Sequence, residues 1–525
     1  MSKTTLVVIT ALSMVCAPAA LAEMASVDDA FIVAENWIEL ITETQGRWGD
    51  CDTAYVETVE EFVGAHQILG YFCRVKPKGY IVISLHKALA PVKAYSPTCD
   101  IDPECVEGMT DLLKGRMERV LDSFPQRIGD IRLAQAPDVQ NAIPIDYGPM
   151  WRALGAGEQS DVTSSDAGIK STATRMDYMG GTPPLLLSSW HQGRPYNALC
   201  PTPKERKSSC TAVNCAVGCT PLAGAQVMRY WAWPPGYDWP NMPNALRWIE
   251  ARGECRDEDG NLCSQAQIDA TAELCYVVGV ASDADYCDDD YVGSHCATAA
   301  STSDLLDALE DLFEYSDETD TIDRDEYSNK VKWFDRIKTE LSQNRPVLYE
   351  LATHMIVCDG WQEFASGGIY LRQYHMNYGW AGGNSGSCPD WVGHANSNAW
   401  YTLDELPCSN LDDETICAGI RPACSLGAGL FWYYGRDDDF PYRYFDQDAV
   451  GEFGTFEAGQ ELQFLPGVTV TCTSTTGDYI QFYGTRSHTT RLFSVKGTVT
   501  GGLVGGIKIH DGELRLYRNG SITFH

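Results

Sequence analysis

The first twenty-two residues decide the compartment in which the rest of the chain must fold. Lys3 gives a positive start, Leu6–Val15 is a short apolar run, and Ala20-Leu21-Ala22 fits a small-x-small cleavage site, so residues 1–22 read as a secretory signal. The run is too short to span a bilayer, and no other stretch of about 20 uninterrupted apolar residues follows. A secreted chain meets an oxidising environment, which suits its 20 cysteines. Cleavage removes Cys16 from the 20 and leaves 19, an odd count that points to at least one unpaired thiol.

At 525 residues the chain is too long for one hydrophobic core. Its composition changes along its length. Asp28–Thr44 carries apolar residues at helical spacing, and Gly79–Ser84 (GYIVIS) reads as a buried strand. Residues 156–182 are rich in Ser, Thr, Gly and Asp and read as a linker. Residues 183–425 hold most of the tryptophan and cysteine. Residues 426–525 are short β-rich runs separated by turns such as Asp511-Gly512 and Asn519-Gly520, an all-β module without a helix.

The charge is also uneven. Against 39 Lys and Arg stand 72 Asp and Glu, a net −33, the opposite of what a nucleic-acid or anionic-membrane binder needs. From Glu250 to Tyr327 there are 23 acids, 3 Arg and no Lys, so 3 − 23 = −20 of that total sits in one segment. With five cysteines (Cys255, Cys263, Cys275, Cys287, Cys296) this segment reads as a disulfide-stapled, solvated acidic insertion. Asp288, Asp289, Asp290, His295 and Cys296 fit no zinc spacing, so no metal site is assigned, with calcium on the Asp run as the alternative. Beside a cleft, such acid would favour basic substrates.

Four pieces carry candidate chemistry. Asn214–Pro234 (NCAVGCTPLAGAQVMRYWAWP) puts Cys219 at the start of a helix whose first turn tolerates Pro221. There the helix dipole and free N–H groups favour a thiolate. Leu348–Trp361 places His354 at the opening of a buried strand. Tyr374–Ser385 offers Asn377 beside aromatics, able to orient an imidazole, and Ser188–Pro201 offers Gln192, whose amide can donate to an oxyanion. His191, His375 and His394 read as structural.

The order Gln, Cys, His, Asn is that of papain-like enzymes. The motifs Trp190-His191-Gln192, Gly218-Cys219, Val357-Cys358-Asp359-Gly360 and His375-Met376-Asn377-Tyr378-Gly379-Trp380 resemble the streptopain family of secreted bacterial cysteine peptidases. Tyr378 stands where that family usually has Trp. The resemblance covers about residues 23–420. It implies an α+β architecture: a papain-like catalytic domain at 176–425, with a helical half and an antiparallel β half, preceded by an α+β inhibitory prodomain at 23–175 and followed by the β module. It makes Cys219 the nucleophile and His354 the general base and acid. Gln192 becomes the oxyanion donor and the Asn377–Tyr378 segment orients the histidine, with Trp380 in support. Tyr291–Ser294, with Gly293 and Ser294, resembles a substrate-proximal loop.

The expected function is a secreted endopeptidase made as a zymogen, without cofactor, acting on proteins or peptides through a thioester and held by its own prodomain. Attachment to the cell surface through the β module is one role open to that module. Two alternatives stand beside this: a catalytically inactive secreted relative that binds or adheres, and a papain-like acyl transferase. Cysteine parity fits a separable prodomain, since 23–175 holds four cysteines (Cys51, Cys73, Cys99, Cys105) and the remaining fifteen become fourteen without Cys219.

Overall fold

The computed structural model describes residues 23–105, 108–133, 147–155, 175–203, 213–234, 236–287, 297–327, 329–351, 354–380, 398–403, 406 and 414–422, and beyond these only strands between 430 and 524. The signal at 1–22, the loop Tyr291–Ser294 with Gly293 and Ser294, the run Asp288–Asp290 with His295 and Cys296, and His394 lie outside the described residues.

The chain opens with helix α1 (Val27–Gln45), started by a Ser26–Asp29 capping box and ended by Gly46 in the left-handed region. Its apolar stripe (Ala30, Val33, Ala34, Trp37, Ile38, Ile41) is buried. Four antiparallel strands follow: β1 (Tyr55–Val63), β2 (Ile68–Lys76), β3 (Tyr80–Ser84) and β4 (Val92–Ser96). Strand β3 is buried on both faces, and its alternation shows why. Ile81 and Ile83 pack in the core under α1, whereas Tyr80 and Val82 join the other core with Met109, Leu113 and Met117 of α2 (Gly108–Leu133). Helix α3 (Gly148–Gly155) lies against α1.

This N-terminal sheet does not end at β4. After β5 (Asp177–Thr182) and helix α4 (Cys219–Trp231) come the hairpin β6 (Leu246–Ile249) and β7 (Glu254–Asp257), helix α5 (Gln265–Ala281), the short pair β8 (Asp285–Tyr286) and β9 (Thr298–Ala299), and helix α6 (Thr302–Asp311). Then follow β10 (Asp320–Asp323), α7 (Lys330–Ser342), β11 (Val347–Leu351), β12 (His354–Ser366), β13 (Ile369–Asn377), β14 (Ala399–Thr402) and β15 (Glu414–Ala418). Eleven strands form one sheet in the order β1-β2-β3-β4-β14-β13-β12-β11-β15-β10, with β5 pairing β12 off that path. The seam is β4 against β14, where Tyr95 faces Trp400 and Ala94 faces Tyr401. The core under α1 therefore includes Phe364, Leu371 and Trp400 of the later sheet.

Three expectations change. The end of the presumed linker is strand β5, paired to Trp361–Ala365 through its backbone. Its glycines hide it from a composition reading, yet they are required, because a Cβ on Gly181 would lie 2.7 Å from the Trp361 carbonyl. The acidic segment is not a solvated insertion. Helices α5 and α6 pack on α4, with Leu274, Cys275, Val278 and Leu305 buried and the acids turned outward. The four N-terminal cysteines do not close on one another: Cys51, Cys73 and Cys99 are thiols, while Cys105 is disulfide-bonded. The described bridges are Cys215–Cys287 and Cys255–Cys263, which staple the helical half.

Beyond residue 425 the described strands include a parallel set in which Thr469–Cys472, Thr498–Gly501 and Ser521–Phe524 lie side by side. Glu513–Leu516 pairs instead with Leu492–Val495, in a different sheet, and Asp511-Gly512 and Asn519-Gly520 lie outside the described residues.

Helix α7 is fixed by charge as well as by Trp333, Phe334 and Ile337. Glu340, buried, accepts from Arg345 Nε at 2.6 Å, from Arg336 at 2.5 Å and from the Gly419 N–H at 3.2 Å. Burial alone would raise the pKa of this carboxyl, but the two guanidinium groups outweigh it and hold the pKa below the ordinary value. A depressed folded pKa means that the stabilisation is complete above the unfolded carboxylate range and is lost as pH falls through the folded value. Glu340→Gln should cost about 3 kcal/mol of unfolding free energy near neutral pH. Chemical denaturation of both proteins from pH 7 downward should show the gap closing in acid; a gap independent of pH would contradict this account.

Candidate active site

Helix α4 is buried on nearly every side, so its first residue is held rigidly. Gly218 precedes it at φ +95°, with Thr298 O only 3.1 Å from where a Cβ would sit, so glycine is needed there. Cys219 is the first helical residue, and α4 packs against β12, whose first residue is His354. The Cys219 Sγ lies 4.0 Å from the Thr220 Oγ1, and the His354 ring and the Met355 N–H are the other neighbours that act on its charge. Burial raises its pKa, but the hydrogen bond and charge of His354, the Met355 N–H and the Thr220 hydroxyl together bring it down from 9.0 to about 7.

The second ring nitrogen is equally fixed. His354 Nε2 lies 2.8 Å from the Tyr378 carbonyl oxygen. A carbonyl only accepts, so Nε2 carries the hydrogen and Nδ1 is left for the thiol. The Trp380 ring lies 4.6 Å from the imidazole, and the Tyr378 ring stacks at 6.1 Å, so apolar surface covers the His354–Tyr378 contact.

Asn377 is placed differently from expectation. Its amide donates to Gln226 Oε1 and to Ser188 O, both at 2.9 Å, and its Oδ1 accepts the Gly379 N–H at 3.1 Å. Gln226 returns a donor to Asn377 Oδ1 at 3.4 Å and accepts from the Trp190 N–H and the Ser188 hydroxyl at 3.2 Å. The group that meets the imidazole within the Asn377–Tyr378 segment is therefore the Tyr378 carbonyl and not the Asn377 side chain. The acceptor is the main chain one residue on, and Asn377 fixes that main chain by closing a buried amide pair with the nucleophile helix. Sequence reasoning missed Gln226, a polar residue one helical face round from the core, seven residues after Cys219. It could have been found as a buried-side glutamine in an otherwise apolar helix.

Gln192 is held near the thiol by its backbone: its carbonyl accepts the Val217 N–H at 3.0 Å, two residues before Cys219. His191 is buried against Tyr196, its Nδ1 accepts the Gly193 N–H, and burial pushes its pKa down to about 4, so it stays neutral. His375 pairs with buried Asp359 at 2.5 Å, and Asp359 also accepts the Leu186 N–H at 3.0 Å. Both histidines hold structure, as their positions suggested.

Residues 190–387 match the Peptidase C10 family. This bears out the streptopain-type resemblance of the motifs. The chain is similar to streptopain of Streptococcus pyogenes, 29% identical over 225 residues, covering 38% of this chain and 52% of that protein. It thus spans about half the length of the streptopains it matches. It is also similar to the thiol protease/hemagglutinin PrtT of Porphyromonas gingivalis, 24% identical over 308 residues, covering 51% of this chain and 29% of that one. Among solved structures, a fragment of prointerpain A of Prevotella intermedia aligns over 69% of this chain and 98% of its own, at 19% identity and a TM-score of 0.41.

The thiol pKa gives a direct measurement. Iodoacetamide labelling of Cys219, followed site by site by peptide mass spectrometry, should rise with pH about a midpoint near 7. His354→Ala removes the ring that lowers it, so the midpoint should move up toward the ordinary thiol value of about 8.5 or beyond. An unchanged midpoint would show that the imidazole does not act on the thiol.

Proposed function

We propose that the chain is a cysteine endopeptidase made as a secreted zymogen. One observation carries this reading: a thiol at a helix N-terminus whose pKa is drawn down by an imidazole, the Nε2 of that imidazole being locked to the Tyr378 carbonyl. In the proposed sequence of steps the Cys219 thiolate attacks the peptide carbonyl. The oxyanion is met by the Gln192 amide together with the N–H groups of the first turn of α4. His354 gives its proton to the leaving amine, and a thioester remains on Cys219. His354 then takes a proton from water, which attacks the thioester and releases the acid. Asn377 positions the Tyr378 carbonyl, and Trp380 keeps water from the His354–Tyr378 contact.

Residues 23–175 would act as the inhibitory prodomain. Support comes from their docking on the later sheet through β4 and β14, from the Ser96 hydroxyl donating to Asn398 O at 2.7 Å, and from Gln362 donating to the Tyr95 hydroxyl at 2.8 Å. A secreted location is supported by residues 1–22 and by the two bridges of the helical half. Among the described residues no helix is long and apolar enough to cross a membrane.

Cys219→Ala should abolish casein hydrolysis, and Gln192→Ala should lower kcat by roughly 10²–10³-fold with the thiol still alkylated at its usual rate. Hydrolysis by Cys219→Ala at the wild-type rate would end the proposal. Residues 23–175 added separately to the matured enzyme should inhibit it in a peptide-substrate titration. No inhibition at high micromolar concentration would reduce them to a folding or secretion role.

A further inference from the structure

Glu350 has no part in the machinery above, yet its flanks adjoin the residues beside Cys219 and His354. It lies on β11, where side chains alternate. Tyr349 turns to α7, where its hydroxyl meets Trp333 Nε1 at 3.1 Å. Glu350 turns the other way, toward the helical half, and accepts from the Thr302 hydroxyl, in the first turn of α6, at 2.7 Å. Thr302 follows directly on the segment whose Thr298 packs on Gly218 and donates to Ala216 O. On the sheet side, the cross-strand partner of Glu350 is Met355, the residue after His354 on the strand against which α4 packs. The carboxylate therefore sits where the two halves meet, between the segment that packs on Gly218 and the strand that opens with His354.

It is also half-exposed and lacks a counter-ion. Thr302 occupies one oxygen, and among the described residues no Lys, Arg or His pairs with Glu350. Its field reaches inward, since the buried Cys417 thiol is pushed up to about 12 by burial and then by the Glu350 charge. A partly buried carboxylate without a cation is a recognition element for one.

We infer that Glu350 selects the substrate, forming the acidic floor of a subsite that takes a Lys or Arg side chain within three residues before or two residues after the scissile bond. This rests on the peptidase reading given above. A basic side chain entering the cleft would supply the missing partner, and the Thr302 hydroxyl would hold the carboxylate in place to receive it. An aliphatic side chain would strand the charge.

The test uses the full matured chain and fluorogenic peptides in which Lys, Arg, Leu, Phe and Gln replace one another at each of those five positions. The wild type should show, at one position, a kcat/KM for Lys or Arg about tenfold or more above that for Leu, and the ratio should fall as salt is raised. Glu350→Gln keeps the shape and an acceptor for Thr302 but removes the charge, so the ratio should collapse toward one. A thermal midpoint equal to the wild type establishes that this variant is folded. Should it unfold, the salt dependence of the wild-type ratio carries the test by itself. Cleavage with no basic preference, or with a preference that Glu350→Gln and salt leave unchanged, overturns the inference and spares the peptidase reading. Failure to cleave any peptide or protein, with Cys219 alkylated normally, overturns the peptidase reading and the inference with it.

Discussion

The buried amide pair between Gln226 and Asn377 is the contact on which the geometry of the site depends. It joins the helix that carries Cys219 to the strand that ends in the Tyr378 carbonyl, and it ties both to the 188–190 segment. The imidazole is thereby held between two groups whose separation this pair sets. Both amides are almost fully buried, so loss of either would leave donors and acceptors without water, at about 1–3 kcal/mol each. A polar contact of that cost persists in an apolar helix only where the packing on both sides specifies it.

A second constraint comes from the sheet. The N-terminal unit does not complete its own core. Trp37 of α1 packs edge-on against Phe364 at 5.0 Å and against Tyr95 at 5.5 Å, and Tyr95 stacks on Trp400. The β4–β14 seam buries what would otherwise be a flat, aromatic edge strand. Thr402 donates to the Val92 carbonyl, and Gln362 is shared among Tyr95, Gln373 and Gln45. Separating the units would expose these groups together, so the interface alone, through groups remote from the thiol among the described residues, holds the N-terminal unit in place. The inhibition proposed for this unit and its stabilisation of the later sheet would then be two consequences of one interface.

Much of this was legible in the residues. Helix α1 announced itself by period and cap, β3 by its unbroken apolar run, and Cys219 by Gly-Cys before Thr-Pro. Each of these is a local signal, written in residues adjacent in the chain. What escaped notice is what depends on distant partners. Strand β5 pairs through its backbone, so Gly180 and Gly181 looked like a linker. Asn377 could be seen to matter, but its true partner, Gln226, lies 151 residues away. The acidic segment misled because its acids lie mostly between the helices, with six on α5 and α6 themselves, while Ala270, Leu274 and Val278 of α5 fill the core. Composition averages over both faces of a helix, and only the packing separates them.

The strong acid excess raises a physical question, because negative charge near a thiol opposes the thiolate. The excess belongs mainly to the helical half, the half that carries Cys219. At physiological ionic strength the Debye length is about 8 Å, so exposed carboxylates on outer faces are largely screened from the site. His354 is in hydrogen-bond contact, where a full charge at 4 Å and an effective dielectric of about 20 contributes about 4 kcal/mol. That corresponds to roughly three pKa units at 1.36 kcal/mol each. Set against the burial that opposes it, such a contribution accounts for a thiol brought from 9.0 to about 7. The near contacts therefore govern the nucleophile, and the surface acid is left to act on approaching substrate. Glu350 belongs to neither class. It is held by Thr302 and is not among the groups that set the thiol pKa, so its charge can serve recognition without raising that pKa out of the neutral range.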